Sequence, residues 1–255
     1  MRMVSYNILD GGEGRADPLA EVIEAQRADV VALVEADDLA VIERIARRLD
    51  MDFIQAPGPR HSSALLSRWT LRETINHALL NPGAIANSLL EATVIDPAGG
   101  EWVLGVVHLH AQATEKDEAE RERELAFVLQ AFARHRVAGR PHVLCGDFNA
   151  NSPVQQIDPQ RCKPSTRKAW SDNGGSLPRR VVNAMLNSGY VDALHALRGD
   201  YAATHGTFST QFPGQRVDYL FAHGIDATRF RDAWIEYDRL AKYASDHFPV
   251  GLEIV

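Results

Sequence analysis

Val30-Val31-Ala32-Leu33-Val34 is an unbroken apolar run that stops on an acid, Glu35. A run of branched residues without alternation reads as a strand covered on both faces. The same pattern recurs at His142-Val143-Leu144-Cys145, which runs into Gly146-Asp147-Phe148-Asn149. Two buried strands, each delivering a carboxylate at its end, constrain the chain more than any other feature. They require a layered α/β structure with polar groups collected at strand termini.

The remaining pattern fits. Val4 to Ile8 reads as a strand reaching Asn7, and Asp17-Pro18 offers a helix N-cap followed by proline at the first helical position. Asp38 can cap a helix in which Ile42, Ile45, Ala46 and Leu49 repeat at helical spacing. Strands are expected at 63–67, 88–95, 102–109, 217–222, 229–236 and 249–255. Thr114 with Asp117 makes a capping box for a helix whose apolar stripe is Leu125, Val128, Leu129 and Phe132. Its charged face, Glu115 to Glu124, reads as solvated surface. Residues 150–178 show no periodicity and read as a long loop, followed by a helix near 179–188. Strict βαβ alternation is absent, so two packed sheets flanked by helices are expected, in a single domain spanning 1–255.

The chain carries 27 basic and 34 acidic residues, a net charge of −7, which weighs against gripping nucleic acid through many phosphates. The charge is uneven: residues 111–124 hold six acids and three bases, whereas 151–180 hold six bases and two acids. The second segment is the better candidate to meet an anion, although Arg161, Lys163, Arg167, Lys168, Arg179 and Arg180 read equally well as solvated loop charges. Trp69, Trp102 and Trp234 read as core; Trp170, in the basic loop, could cover a substrate. The two cysteines, Cys145 and Cys162, fit neither a disulfide framework nor a zinc site. No segment approaches the roughly 18 apolar residues of a membrane span, and the first residues enter a strand-like run rather than a secretory one. A cytoplasmic monomer without a protein partner is expected.

Phosphate-ester hydrolysis needs a cation, a positioned water and donors for the oxygens that gain charge. Magnesium takes oxygen ligands and needs only one or two carboxylates. Asn7, Glu35, His108, Asp147, Asn149, Asp218, Asp246 and His247 all fall at expected strand ends and offer those groups. Each alone has a plainer reading: Asn7 and Asp10 as turn formers, Glu35 as a solvated strand end, His108 as a core histidine, Asp246 as a loop residue. An Asp-x-Asn pair points both groups one way only if the backbone stays extended. His110 alternates to the other face and reads as structural, as does Asp192.

Tyr6-Asn7-Ile8, Glu35, Val107-His108-Leu109, Gly146-Asp147-Phe148-Asn149, Arg216-Val217-Asp218-Tyr219 and Ser245-Asp246-His247 together resemble the ordered motifs of the endonuclease/exonuclease/phosphatase superfamily, over nearly the whole chain. The resemblance implies a four-layered α/β/β/α sandwich and a magnesium-dependent hydrolase of phosphodiesters, with manganese as the alternative ion. It implies Glu35 as principal metal ligand, with Asn7 and Asp246 near the metal. It further implies Asp147 on the attacking water, Asn149 and His108 against phosphoryl oxygens, and His247 on the scissile phosphate, oriented by Asp218. Abasic-site endonucleases of that superfamily carry an acid two residues after the first asparagine. Here Leu9 stands there and Asp10 follows, which on an extended strand points the acid to the opposite face and argues against a second metal position. Leu109-His110-Ala111-Gln112 looks more like the sphingomyelinase and general phosphodiesterase branch. A nucleic acid or nucleotide diester is expected as substrate, a lipid or sugar phosphate as the alternative. A silent phosphate-binding scaffold is the third reading.

Overall fold

The computed structural model describes residues 1–255. Twelve strands form two sheets: β1 (Arg2–Asn7), β2 (Val30–Val34), β3 (Asp52–Ala56), β4 (Ser63–Ser67), β5 (Thr70–Asn76), β6 (Ser88–Ile95), β7 (Glu101–His108), β8 (His142–Asp147), β9 (Val191–Asp192), β10 (Asp218–His223), β11 (Phe230–Ile235) and β12 (Val250–Ile254). The helices are α1 (Ala16–Ala25), α2 (Leu39–Leu49), α3 (His77–Leu80), α4 (Glu115–Ala131), α5 (Ala133–Val137), α6 (Pro164–Asp172), α7 (Arg180–Asn187), α8 (Ala193–Leu197), α9 (Gly199–Thr204) and α10 (Arg239–Ala244). One sheet runs β11-β12-β1-β2-β4-β3 and the other β5-β6-β7-β8-β10-β9, and both mix parallel with antiparallel pairs. Residues of both sheets share one apolar cluster, joined by α1 and α2. A second cluster packs α4 and α7 on the outer face of the second sheet. This is the α/β/β/α sandwich.

Register explains why polar residues gather at one end. β1 and β2 are parallel, with Asn7 beside Val34, so Glu35 emerges next to Asn7. In the other sheet His108 pairs with Asp147 across parallel strands, and Asp147 with Asp218 across antiparallel ones. These three form a row on the pleat that also carries Val106, Cys145 and Leu220, residues of the cluster shared by both sheets. Side chains two apart share a face, so the row faces the first sheet. Just before Asp147 on β8, Gly146 is required: a Cβ there would lie 2.0 Å from the Val107 carbonyl oxygen.

Several local expectations are corrected. Asp17 does not cap α1; the helix starts two residues earlier than expected, at Ala16 after Arg15, whose guanidinium donates to the carbonyls of Ile8, Leu9 and Ala244. Asp17 instead pairs with Arg44 at 2.6 Å. The 150–178 segment contains a helix, α6, whose first residue is Pro164. The α4 face is not all solvated, because Glu118, Arg121 and Glu124 are buried. Glu124 accepts from the backbone N–H groups of Ala86 and His110, both at 2.7 Å, and Arg121 donates to the His110 and Gln112 carbonyls. The charges there hold the 110–114 loop against the helix. Trp69, Trp102 and Trp234 are half-buried and pack against the cluster shared by the two sheets; Trp170 is half-buried as well.

Candidate active site

The chain leaves β1 in an unusual way: Leu9 and Asp10 adopt φ of 57° and 46°, and Glu35, just past β2, adopts 54°. Left-handed conformations at non-glycine residues carry strain that surrounding contacts must hold. Here the Asp10 N–H donates to Glu35 Oε2 at 2.8 Å and the Leu9 N–H to Asn7 Oδ1 at 3.0 Å. The backbone is therefore not extended after Asn7, and Asp10 turns toward Glu35 instead of facing away. Carboxylate oxygens of Asp10 and Glu35 and a ring nitrogen of His61 lie within 4.8 Å of one another.

Asn7 links the two sheets. Its amide nitrogen donates to Glu35 Oε1 at 2.9 Å and to Asp147 Oδ2 at 3.2 Å. Asp147, buried at the end of β8, also stands 3.8 Å from His108 Nε2 and 3.7 Å from His247 Nε2. His247 Nδ1 is hydrogen-bonded to Asp218 Oδ2 at 2.8 Å, a pairing that fixes the tautomer and supports a charged ring. The Asp147 carboxylate does not share a direction with Asn149 through extended backbone. Asn149 has φ of 48°, and its N–H donates to Asp147 Oδ1 at 2.8 Å. A tight turn, not a pleat, brings the pair together.

All eight sequence-predicted residues converge. Glu35, His108, Asp147, Asn149, Asp246 and His247 line one cavity of about 210 Å³. Asn7 and Asp218 support it from behind through the bonds just given. The cavity also takes in Arg60, His61, Asn87 and Phe208, which sequence reasoning missed. Arg60 and His61 lie just before β4, and Val34 pairs with Ser63, so they could have been found as residues entering a strand beside Glu35. His61 Nδ1 contacts Asp37 Oδ2 at 2.8 Å. Of the six bases in 151–180, Lys163 reaches the site, 3.1 Å from Asp246 Oδ2 and 3.9 Å over the Phe208 ring. Arg180 pairs with Glu115 and Glu122, and Arg179 with loop carbonyls. Trp170 lines neither this cavity nor the one beside it. His110 bonds Asp117, and Asp192 pairs with the buried Arg216 at 2.7 Å.

Burial and neighbouring charge set the protonation pattern. Burial, reinforced by the nearby His61 and His247, pushes the His108 pKa down to about 3, so its ring is neutral. Burial also opposes charge on His247, but the Asp218 and Asp147 carboxylates outweigh it and raise its pKa. Asp147 is raised, first by burial and then by the Asp218 charge. His61 is raised through its bond to Asp37.

The donor set suits a hard divalent cation. Asp10, Glu35 and Asp246 offer carboxylate oxygens of the kind such ions prefer, and Asp246 Oδ1 is buried without a hydrogen-bond partner. An orphaned carboxylate oxygen is costly unless something positive meets it.

Residues 4–247 match the Endonuclease/Exonuclease/phosphatase family, described by that name. The chain belongs to this family. It thereby stands among enzymes that hydrolyse phosphate ester bonds. No curated protein matches its sequence. Among solved structures, an AP endonuclease from Archaeoglobus fulgidus superposes with a TM-score of 0.73 at 18% identity, covering 100% of this chain and 99% of the other. A 3′ phosphatase, NExo, from Neisseria, bound to a product DNA hairpin, gives 0.71 at 18%, covering 100% and 99%. An endonuclease/exonuclease/phosphatase from Beutenbergia cavernae gives 0.70 at 20%, covering 100% and 71%. These likenesses establish a common fold. No helix is long and apolar enough to cross a membrane.

Proposed function

We propose that this family member hydrolyses phosphodiesters by in-line attack of water, with a single magnesium ion held by Glu35, Asp246 and the adjacent Asp10. The observation that carries the reading is the Asn7 amide, which ties Glu35 of one sheet to Asp147 of the other. A bound cation would neutralise phosphate charge and stabilise the departing oxygen. His247, charged through Asp218, donates a hydrogen bond to a phosphoryl oxygen, and Asn149 donates to another. His108, neutral and with its Nδ1 buried without a partner, presents a donor to the phosphate without adding charge.

Asp147 takes the proton of the attacking water. A carboxylate whose pKa is raised is a better base than an ordinary one, and an imidazole already protonated cannot serve. The water oxygen bonds to phosphorus, the ester P–O bond breaks, and the departing alkoxide takes a proton from solvent while Asp147 returns its own to solvent. The Asn7 amide nitrogen orients the two carboxylates, and its oxygen, which accepts from the Leu9 N–H, keeps a second lone pair for the metal. Nucleic acid or a nucleotide-derived diester is the preferred substrate class; the Archaeoglobus and Neisseria neighbours support it. Hydrolysis of bis-p-nitrophenyl phosphate, supercoiled plasmid and sphingomyelin, each with and without EDTA, tests the reading. Turnover of bis-p-nitrophenyl phosphate that EDTA abolishes is expected; activity on sphingomyelin alone, or activity indifferent to EDTA, contradicts it.

A further inference from the structure

Beside the catalytic cavity lies a second one of about 200 Å³. The two share Ala111, Asn149 and Phe208, so a phosphate in the first has a covered space next to it. Asn149 stands at the junction, and three segments wall the rest of that space: the 111–114 loop, Lys163 with one side of α6, and the stretch from Phe208 to Val217. The walls are tied together. Thr166 Oγ1 donates to Gln215 Oε1 at 2.9 Å, the Gln215 amide nitrogen donates to Asn151 Oδ1 at 3.0 Å, and Asn173 donates to the Ala113 carbonyl at 3.4 Å. Arg121 fixes the loop from behind. The chamber is thus preformed.

Its chemistry is specific. The polar lining consists of amides and hydroxyls, among them Gln112, Thr114, Ser165 and Gln215, with Lys163 at the junction and no carboxylate. That lining offers nothing to a cationic group. Phe208 is its one aromatic residue, and the Lys163 ammonium already sits over that ring, so no aromatic cage for a quaternary ammonium exists. The volume is below the roughly 300–1,000 Å³ of pockets that enclose drug-sized ligands. One sugar or nucleoside suits it; a continuing duplex does not.

We infer that this chamber binds a single neutral, hydroxyl-rich ester substituent next to the phosphate, so that the enzyme acts on small or chain-terminal phosphate esters. The inference rests on the proposed phosphate-ester hydrolysis and adds the substrate class. The chemistry is shared by a nucleoside and a cyclic polyol, and the test separates them.

Equilibrium binding of methyl phosphate, thymidine 3′- and 5′-monophosphate and inositol 1-phosphate is measured calorimetrically with magnesium present, for the unaltered protein and for Ser165→Trp. Ser165 is exposed at the rim of the chamber, so an indole there plugs the space without disturbing the core. Gln112→Trp, exposed on the facing wall, is the second variant should the first fail to fold. At least one larger ester should bind tenfold or more tightly than methyl phosphate, and the plug should remove that advantage; which ester gains identifies the source. Equal binding of all four, or an advantage that survives the plug, overturns the chamber. So does a 20-base-pair duplex that binds more tightly than every monoester and ignores the plug. Turnover of bis-p-nitrophenyl phosphate is measured alongside: its absence removes the hydrolase reading, whereas turnover without size preference removes only the chamber.

Discussion

Two buried polar clusters occupy opposite faces of the same sheet, and they are finished differently. On the outer face, Glu91 of β6 meets His77 of α3 and His135 of α5, each at 2.9 Å, and also Arg134. His135 packs on His142, whose Nε2 is bonded to the Tyr190 hydroxyl at 2.7 Å. Burial would raise the Glu91 pKa, but its two histidine bonds and Arg134 hold it below the usual range. On the inner face, Asp147 is left with a raised pKa, and His108 Nδ1 and Asp246 Oδ1 have no partner. A carboxylate satisfied on both oxygens, as Glu91 is, holds structure together. An unsatisfied cluster is organised around something that must come from outside.

The largest effect that distinguishes them concerns catalysis. His247→Ala and Asp147→Ala should each lower kcat for bis-p-nitrophenyl phosphate by about 10³-fold, within the ordinary range for acid–base groups, while the melting temperature changes little or rises. A large fall in melting temperature would mean the inner cluster is structural like the outer one. Glu91→Ala should do the reverse. Removing the shared acceptor should cost about 2 kcal/mol of folding stability, read by urea unfolding, with kcat per folded molecule within about twofold of the original by that same comparison. A tenfold fall in kcat would show that the two faces are coupled.

The outer cluster should also respond to pH. Burial pushes the His142 pKa down to about 4, well below the unfolded value of about 6.5. A depressed pKa contributes stability in full above the unfolded value and loses it as pH falls through the folded one. The melting temperature should therefore decline between about pH 6.5 and pH 4, and His142→Asn should flatten that slope. An unchanged slope would place the pH sensitivity elsewhere. The smallest effect concerns Lys163. Its ion pair with Asp246 is one-third exposed, and such pairs contribute about 1 kcal/mol or less. Lys163→Met should free Asp246 and lower the magnesium concentration for half-maximal activity about two- to fivefold. A rise would show that the ammonium assists metal binding.

Sequence revealed the site better than it revealed the frame that supports it. Glu35, Asp147 and His108 stand where buried apolar runs stop, and apolar runs are the strongest signal a chain carries. Asp38 and the Thr114–Asp117 capping box were legible for a similar reason, because each cap precedes a periodic helix. β5, Thr70–Asn76, was not, since exposed polar residues fill it and it pairs only with β6. α6 hid because few of its residues are buried, though Lys163-Pro164 was a usable start signal. The placement of Asp10 and Asn149 was beyond reach. Both depend on positive φ at non-glycine residues, which the strain rules of local sequence disfavour and only the assembled site enforces. Glu118, Arg121 and Glu124 looked like surface because their partners, loop N–H and C=O groups, carry no sequence signal.

The decisive observation is where a cation binds, because two groups of ligand-bearing side chains lie close together: Asp10, Glu35 and His61 in one, and Asp147, Asp218 and His247 in the other. A crystal grown with manganese and phosphate, examined by anomalous scattering, resolves them. The account predicts a manganese peak coordinated by Glu35, with the phosphate between that ion and the His247 ring. A peak bound by His247 and Asp218, with Glu35 left free, would contradict it.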